Sequence, residues 1–317
     1  MEVTLVLQKI LSIFLMIFAG FFAYKIKWLP KEAEKYLSLI MINISGTCLI
    51  FYSMQSQETN AETMTKAAQA LILMCIAIVI ACVISIFLVR LLRVKVTDRG
   101  VYRLMIAFTN CGFMGYPLAE AAFGSEGLFL AIVANMGFNI MIFSVGAFLL
   151  IYDLPGHSSM LDTLKKIISL PLVVCIIGLF IFFLDIKFPP LIADTCDLMG
   201  AMTAPLAMMI VGMQLAQSNF LAVVKNIRLL LMCVFRLVLI PVVLFGMFFK
   251  LSFIHPLVFC VVIYAMCMPS AAYTSVLANR YGGNTVVAAE GIFLSTLFSL
   301  FTLPTWGALL NIYLAGV

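Results

Sequence analysis

The sequence predicts an all-α integral membrane fold. Ten transmembrane helices form two inverted five-helix repeats, with crossing broken helices at spans four and nine. Three observations predict this. The 317 residues are 64% hydrophobic and only 10% charged, with a mean hydropathy of +1.18, whereas a soluble domain carries about 25% charge. Apolar runs of about 20 residues, the length that crosses a bilayer, recur from end to end. Two of those runs contain Gly, Asn and Pro clusters that a continuous helix does not tolerate.

The expected spans run 3–24, 36–54, 67–89, 102–123, 127–151, 165–184, 191–216, 228–249, 256–280 and 285–311. The first is too long for the apolar region of a signal peptide, which is about 7–15 residues. Lys25, Lys27 and Trp28 follow it in place of a small-residue cleavage site, so it reads as a retained helix. The connections are short. Residues 1–152 form the first repeat, 153–164 a cytoplasmic linker and 165–317 the second repeat.

Lys and Arg mark the cytoplasmic face. The loops after spans 1, 3, 5, 7 and 9 hold fourteen of them, and the opposite side holds four, Lys9, Lys66, Lys187 and Lys250. The odd loops are therefore expected in the cytoplasm and both termini outside the plasma membrane. This asymmetry accounts for the net charge of +5 without nucleic acid as a partner; the partner is the lipid bilayer.

Residues 108–118 of span four read FTNCGFMGYPL, and residues 264–274 of span nine read YAMCMPSAAYT. Pro lacks an N–H and Gly is the weakest ordinary helix former. In hydrocarbon, broken backbone persists only where it is buried in protein or lines a cavity. Paired broken helices are the usual pointer to a transporter's binding site. The halves align at an offset of about 158: Gly20 on Gly178, Cys111 on Pro269, and Phe123-Gly124 on Tyr281-Gly282. Five spans is an odd number, so the second unit is inverted.

Nine cysteines form no CxxC pair, and both histidines, His157 and His255, fall in loops. Buried zinc or Ser–His chemistry is thereby excluded, and the protein is expected not to be an enzyme. No cofactor is expected; coupling to H+ or Na+ stays open, as does a homodimer.

A carboxylate within a membrane needs donors without a large fixed charge, which freed N–H groups and half-helix N-termini supply. The residues at the breaks are the site candidates: Thr109, Asn110, Gly112 and Pro117 in the first, Pro269, Ser270 and Thr274 in the second. Asn135 and Asn139 on span five and Gln214 on span seven are further polar candidates. They either touch substrate or join helices. Arg236, deep in span eight, either attracts an anion or bonds backbone near Pro241. Glu120, Glu290 and Asn43 are candidates for a coupling ion.

NCGFMGYPLAEAAFGSEG (110–127), GMQLA (212–216), MPSAAYTSVLANRYGG (268–283) and LSTLFSLFTLP (294–304) together resemble the auxin efflux carrier family in its short bacterial form. The resemblance covers essentially the whole chain. It implies scaffold and mobile domains and a small organic anion, such as a carboxylate or dicarboxylate, moved by alternating access. One departure is Gly46-Thr47, where the family tends to have a proline. The rival readings are a cation–proton antiporter on a related crossed-helix scaffold and a ligand sensor that does not transport. The antiporter needs buried aspartates that the span centres lack.

Overall fold

The computed structural model describes residues 3–30, 32–112, 114–152, 170–217 and 225–316. The expected linker 153–164 lies outside them. The described residues are helical, without strands. In chain order the helices are α1 (Val3–Lys25), α2 (Ala33–Ser56), α3 (Ala61–Leu91), α4 (Val96–Ala107), α5 (Gly115–Ile151), α6 (Leu170–Phe183), α7 (Pro190–Gln217), α8 (Ile227–Phe248), α9 (Pro256–Cys267), α10 (Tyr273–Tyr281) and α11 (Thr285–Ala315). Six of them, α2, α3, α5, α7, α8 and α11, are long and apolar enough to cross a membrane.

Several starts are set by side-chain caps, which satisfy N–H groups the helix leaves unpaired. Asn60 Oδ1 accepts from the Thr63 N–H at 2.8 Å at the start of α3. Asn226 and Asn284 cap α8 and α11 in the same way. His255 Nδ1 accepts from the Leu257 N–H at 3.2 Å and caps α9.

Both breaks are narrower than the sequence suggests. Among the described residues of the two breaks, backbone leaves the helix over 108–112, at 114 and over 268–272. Pro117 lies within the first turn of α5 and does not end it, because a first-turn proline gives up an N–H that has no partner anyway. The positions where each half-helix ends correspond closely. Gly124 interrupts α5 at φ 74°, and Gly282 ends α10 at φ 76°, 158 residues later. Only glycine enters this region without a steric penalty. Lys27 and Asp185, also left-handed at φ 62° and 49°, bear the same offset.

Three π-helical turns bend long helices, at Met41–Ser45 in α2, Ile142–Gly146 in α5 and Phe235–Leu239 in α8. The first lies just before Gly46, so the helical ladder of α2 is widened there by a π-turn. In α8, Pro241 provides no N–H for the Leu237 carbonyl, and the Trp306 indole N–H donates to it at 3.1 Å.

Packing divides the described helices into two bodies. One holds α1, α2, α6 and α7. Its tightest contact is α1 against the second segment of α7, where a Cβ on Gly20 would strike the Met209 backbone and one on Gly212 the Ile17 carbonyl. The other body holds α3, α4, α5 and α8 to α11. Contacts between the bodies are sparser, and cavities lie along the seam.

Candidate functional site

The two breaks cross and fasten each other. The Asn110 N–H donates to the Pro269 carbonyl at 2.8 Å, and the Ala271 N–H donates to the Phe108 carbonyl at 3.1 Å. Thr109 and Ser270 thereby form a short antiparallel bridge. Buried backbone groups need partners, and here each break supplies them to the other.

Side chains complete the exchange. Thr109 Oγ1 donates to the Ala265 carbonyl in the last turn of α9 at 2.6 Å. Ser270 Oγ donates to the Met105 carbonyl in the last turn of α4 at 2.9 Å. The Ser270 N–H donates to Ser295 Oγ.

Arg236 sits in the π-turn of α8, fully buried. Its Nε donates to the Met268 carbonyl at 3.1 Å, its Nη1 to Ile106 at 3.0 Å and its Nη2 to Met266. These carbonyls belong to the C-terminal ends of both α4 and α9. Each helix end carries about half an elementary charge, negative at the C-terminus. One guanidinium therefore matches two helix ends. The N-terminal ends that face the crossing are treated differently: the N-cap residues of α5 and α10, Met114 and Ala272, provide no side-chain cap.

A cavity of about 70 Å³ lies beside the crossing, room for about five waters at 10–15 Å³ each. One half of its wall comes from Asn110, Gly112, Tyr116, Asn135, Asn139 and Tyr273. The opposite half comes from α2, α6 and α7, including Thr47 and Thr203. None of the described residues that line it is charged. The Asn110 amide, 7% exposed, makes no side-chain hydrogen bond within the described residues. Asn135 is held in place: its Nδ2 donates to the Tyr116 hydroxyl at 2.7 Å, and its Oδ1 accepts from Cys111 Sγ. Asn139 Nδ2 donates to the Asn135 carbonyl one turn earlier.

Two larger cavities flank this one along the same seam. One of 220 Å³ shares Tyr116 and Thr203 with it and is bordered by Pro117 and Glu120. The other, of 440 Å³, shares Tyr273 and is bordered by Glu34 and Gln217, whose Nε2 donates to Glu34 Oε2 at 2.7 Å.

A polytopic helical chain with a crossed pair of breaks and a line of cavities is the layout of a carrier, and comparison with known proteins decides the family. The profile of the membrane transport protein family, which includes the auxin efflux carriers, matches residues 5–160 and 156–307. The chain belongs to this family. It is 25% identical over 313 residues to an uncharacterized transporter of Methanocaldococcus jannaschii, covering 96% of this chain and 98% of that one. It is 28% identical over 309 residues to an uncharacterized transporter of Methanothermobacter thermautotrophicus, with the same coverage. The protein is a membrane transporter and not an enzyme.

The transporter brings Thr109, Asn110, Gly112, Asn135 and Asn139 together at the central cavity. Pro269 and Ser270 are buried in the crossing itself. Thr274 is fully buried at the start of α10, with no partner for its hydroxyl among the described residues, and does not border the cavity. Arg236 bonds backbone, though at the breaks and not near Pro241. Asn43 is exposed on α2, and Glu290 is half-buried on α11. The side chain of Gln214 lies outside the described residues. Sequence reasoning missed Thr47, Tyr116, Thr203 and Tyr273. Tyr116 stands within the glycine- and proline-rich run and could have been read there. Thr203 stands two residues before Pro205, which lies 158 residues after Thr47.

Proposed function

We propose that this transporter carries a small organic anion, a carboxylate or dicarboxylate, by alternating access at the crossing. The observation that carries the reading is the unequal treatment of the helix ends. Arg236 matches the negative ends of α4 and α9, while the positive ends of α5 and α10 are left without side-chain caps beside a cavity that no described charged residue lines. The remaining field favours negative charge. Neutral amides at Asn110, Asn135 and Asn139 give a carboxylate donors that do not hold it permanently. A transported cation would need a carboxylate at this place.

Ten crossings as two inverted repeats fit the paired left-handed residues at a constant offset of 158, Gly124 with Gly282 and Lys27 with Asp185. The body of α1, α2, α6 and α7 is the scaffold, and the body that carries both breaks moves against it. Tyr116 and Tyr273, each shared by the central cavity and one flanking cavity, separate the two approaches to the site. The excess of Lys and Arg in the odd loops orients both termini outside the plasma membrane. Of Glu120 and Glu290, Glu120 borders this path.

A thermal-shift screen of purified protein against malonate, malate, indole-3-acetate and Na+ tests the reading, since a ligand that binds the folded state raises its melting point. A rise with an acid that disappears in Asn110→Ala is expected. A rise with Na+ alone would replace this reading with a cation carrier.

A further inference from the structure

Thr203 begins the second segment of α7, directly after the interruption at Met202. It is 5% exposed, and its hydroxyl has no hydrogen-bond partner among the described residues. It borders both the central cavity and the 220 Å³ cavity. An unpaired hydroxyl in a buried place destabilises the fold that holds it; the Ser53, Thr274 and Thr302 hydroxyls also lack a partner among the described residues, but of these four Thr203 is the one that borders the central cavity. Across the central cavity stands the Asn110 amide, which makes no side-chain hydrogen bond among the described residues. The two belong to different bodies, Asn110 to the one carrying the breaks and Thr203 to the scaffold.

We infer that Thr203 is the scaffold's hydrogen-bond donor to the transported carboxylate, and that it makes this contact in one access state only. The inference rests on the organic-anion reading above. A carboxylate between Asn110 and Thr203 accepts from the amide N–H on one side and, once the Thr203 side chain turns its enclosed hydroxyl toward the cavity, from that hydroxyl on the other. When the mobile body moves with its ligand, Asn110 travels along and Thr203 stays behind. The ligand is then held by both bodies in the state that places it between them and by one in the other state. A ligand biases a two-state equilibrium only through such differential contacts. Thr203 thus sets how unequally the two faces of the membrane see the substrate.

The test uses full-length Thr203→Val and Thr203→Ser in detergent, each titrated with malonate, malate and indole-3-acetate while the melting point is followed. Valine keeps the shape and removes the orphaned hydroxyl. Without ligand, Thr203→Val is expected to melt at or above the wild-type temperature. Its half-saturation for the stabilising acid is expected to rise about tenfold, the size of a lost hydrogen bond to a charged group. Thr203→Ser is expected to behave as wild type. In proteoliposomes the same rise in half-saturation should appear at one face and not the other.

Unchanged half-saturation in Thr203→Val would overturn the inference. So would a much lower melting point without ligand, which would show that the hydroxyl has a structural partner. An equal change at both faces would overturn the single-state contact. If no acid stabilises the wild type, the organic-anion reading falls first and takes this inference with it.

Discussion

Four helix ends meet at the crossing, and the protein treats the two kinds in opposite ways. The C-terminal ends of α4 and α9 receive Thr109, Ser270 and all three guanidinium nitrogens of Arg236. The N-terminal ends of α5 and α10 receive no side-chain cap. Elsewhere Asn60, Asn226, His255 and Asn284 cap helix starts, while α2, α4 and α7 begin without side-chain caps; what sets α5 and α10 apart is that they begin beside the central cavity. The negative ends are closed by side chains of the protein itself, whereas the positive ends have only local backbone partners; under the proposed function that difference leaves room for the anion.

The comparison breaks most severely at Arg236. Arg236→Gln removes the charge that joins α4 to α9 and strands buried carbonyls. We expect a stability loss of about 3–5 kcal/mol, read as a lower unfolding midpoint and poor yield of folded protein. A well-folded Arg236→Gln with only a raised half-saturation would instead make the arginine a direct substrate contact.

A smaller effect sharpens the likeness between the two halves. Gly124→Ala and Gly282→Ala each force a side chain into positive-φ backbone, which costs about 1–3 kcal/mol, with Gly124, at ψ −165° against 21° for Gly282, in the more restricted region. Losses of melting temperature in both variants are expected, the larger at Gly124. A loss at one position alone would show that the two half-helix ends do not play matching parts.

The smallest effect concerns the cap at the far end of α9. Burial and the nearby Lys66 ammonium lower the His255 pKa from 6.5, against an opposing pull from Glu126 and Glu62. The unfolded chain therefore binds a proton more readily than the folded one, and stability rises with pH across the window just below 6.5. Acidification protonates Nδ1 and ends its acceptance of the Leu257 N–H. A slight fall in melting temperature below pH 6.5 is expected in the wild type and should be reduced in His255→Asn, since Asn caps without titrating near that pH.

The breaks were legible in the sequence because Gly, Asn and Pro act locally. Their widths were not, because a proline in the first turn of a helix, such as Pro117, is tolerated. Asn110, Asn135 and Asn139 were legible as polar groups in apolar runs, and all three border the cavity. Arg236 was visible as a deep charge. Its partners were not, since the Ile106, Met266 and Met268 carbonyls lie 130, 30 and 32 residues away in the chain. The π-turns of α2, α5 and α8 have no simple residue signature, so the bend before Gly46 was read only as a missing proline. Thr203 looked like an ordinary helix residue; only the seam between the two bodies gives its hydroxyl meaning.

The central claim is that the open helix ends bind a transported organic anion. Counterflow in proteoliposomes tests it most directly. Vesicles loaded with unlabelled malonate, malate or indole-3-acetate are mixed with the labelled acid, for wild type and for Asn110→Ala of equal melting point. The account predicts transient accumulation of at least one labelled acid in the wild type and its loss in Asn110→Ala. Equal accumulation in the variant, or exchange of cations with none of the acids, would contradict it.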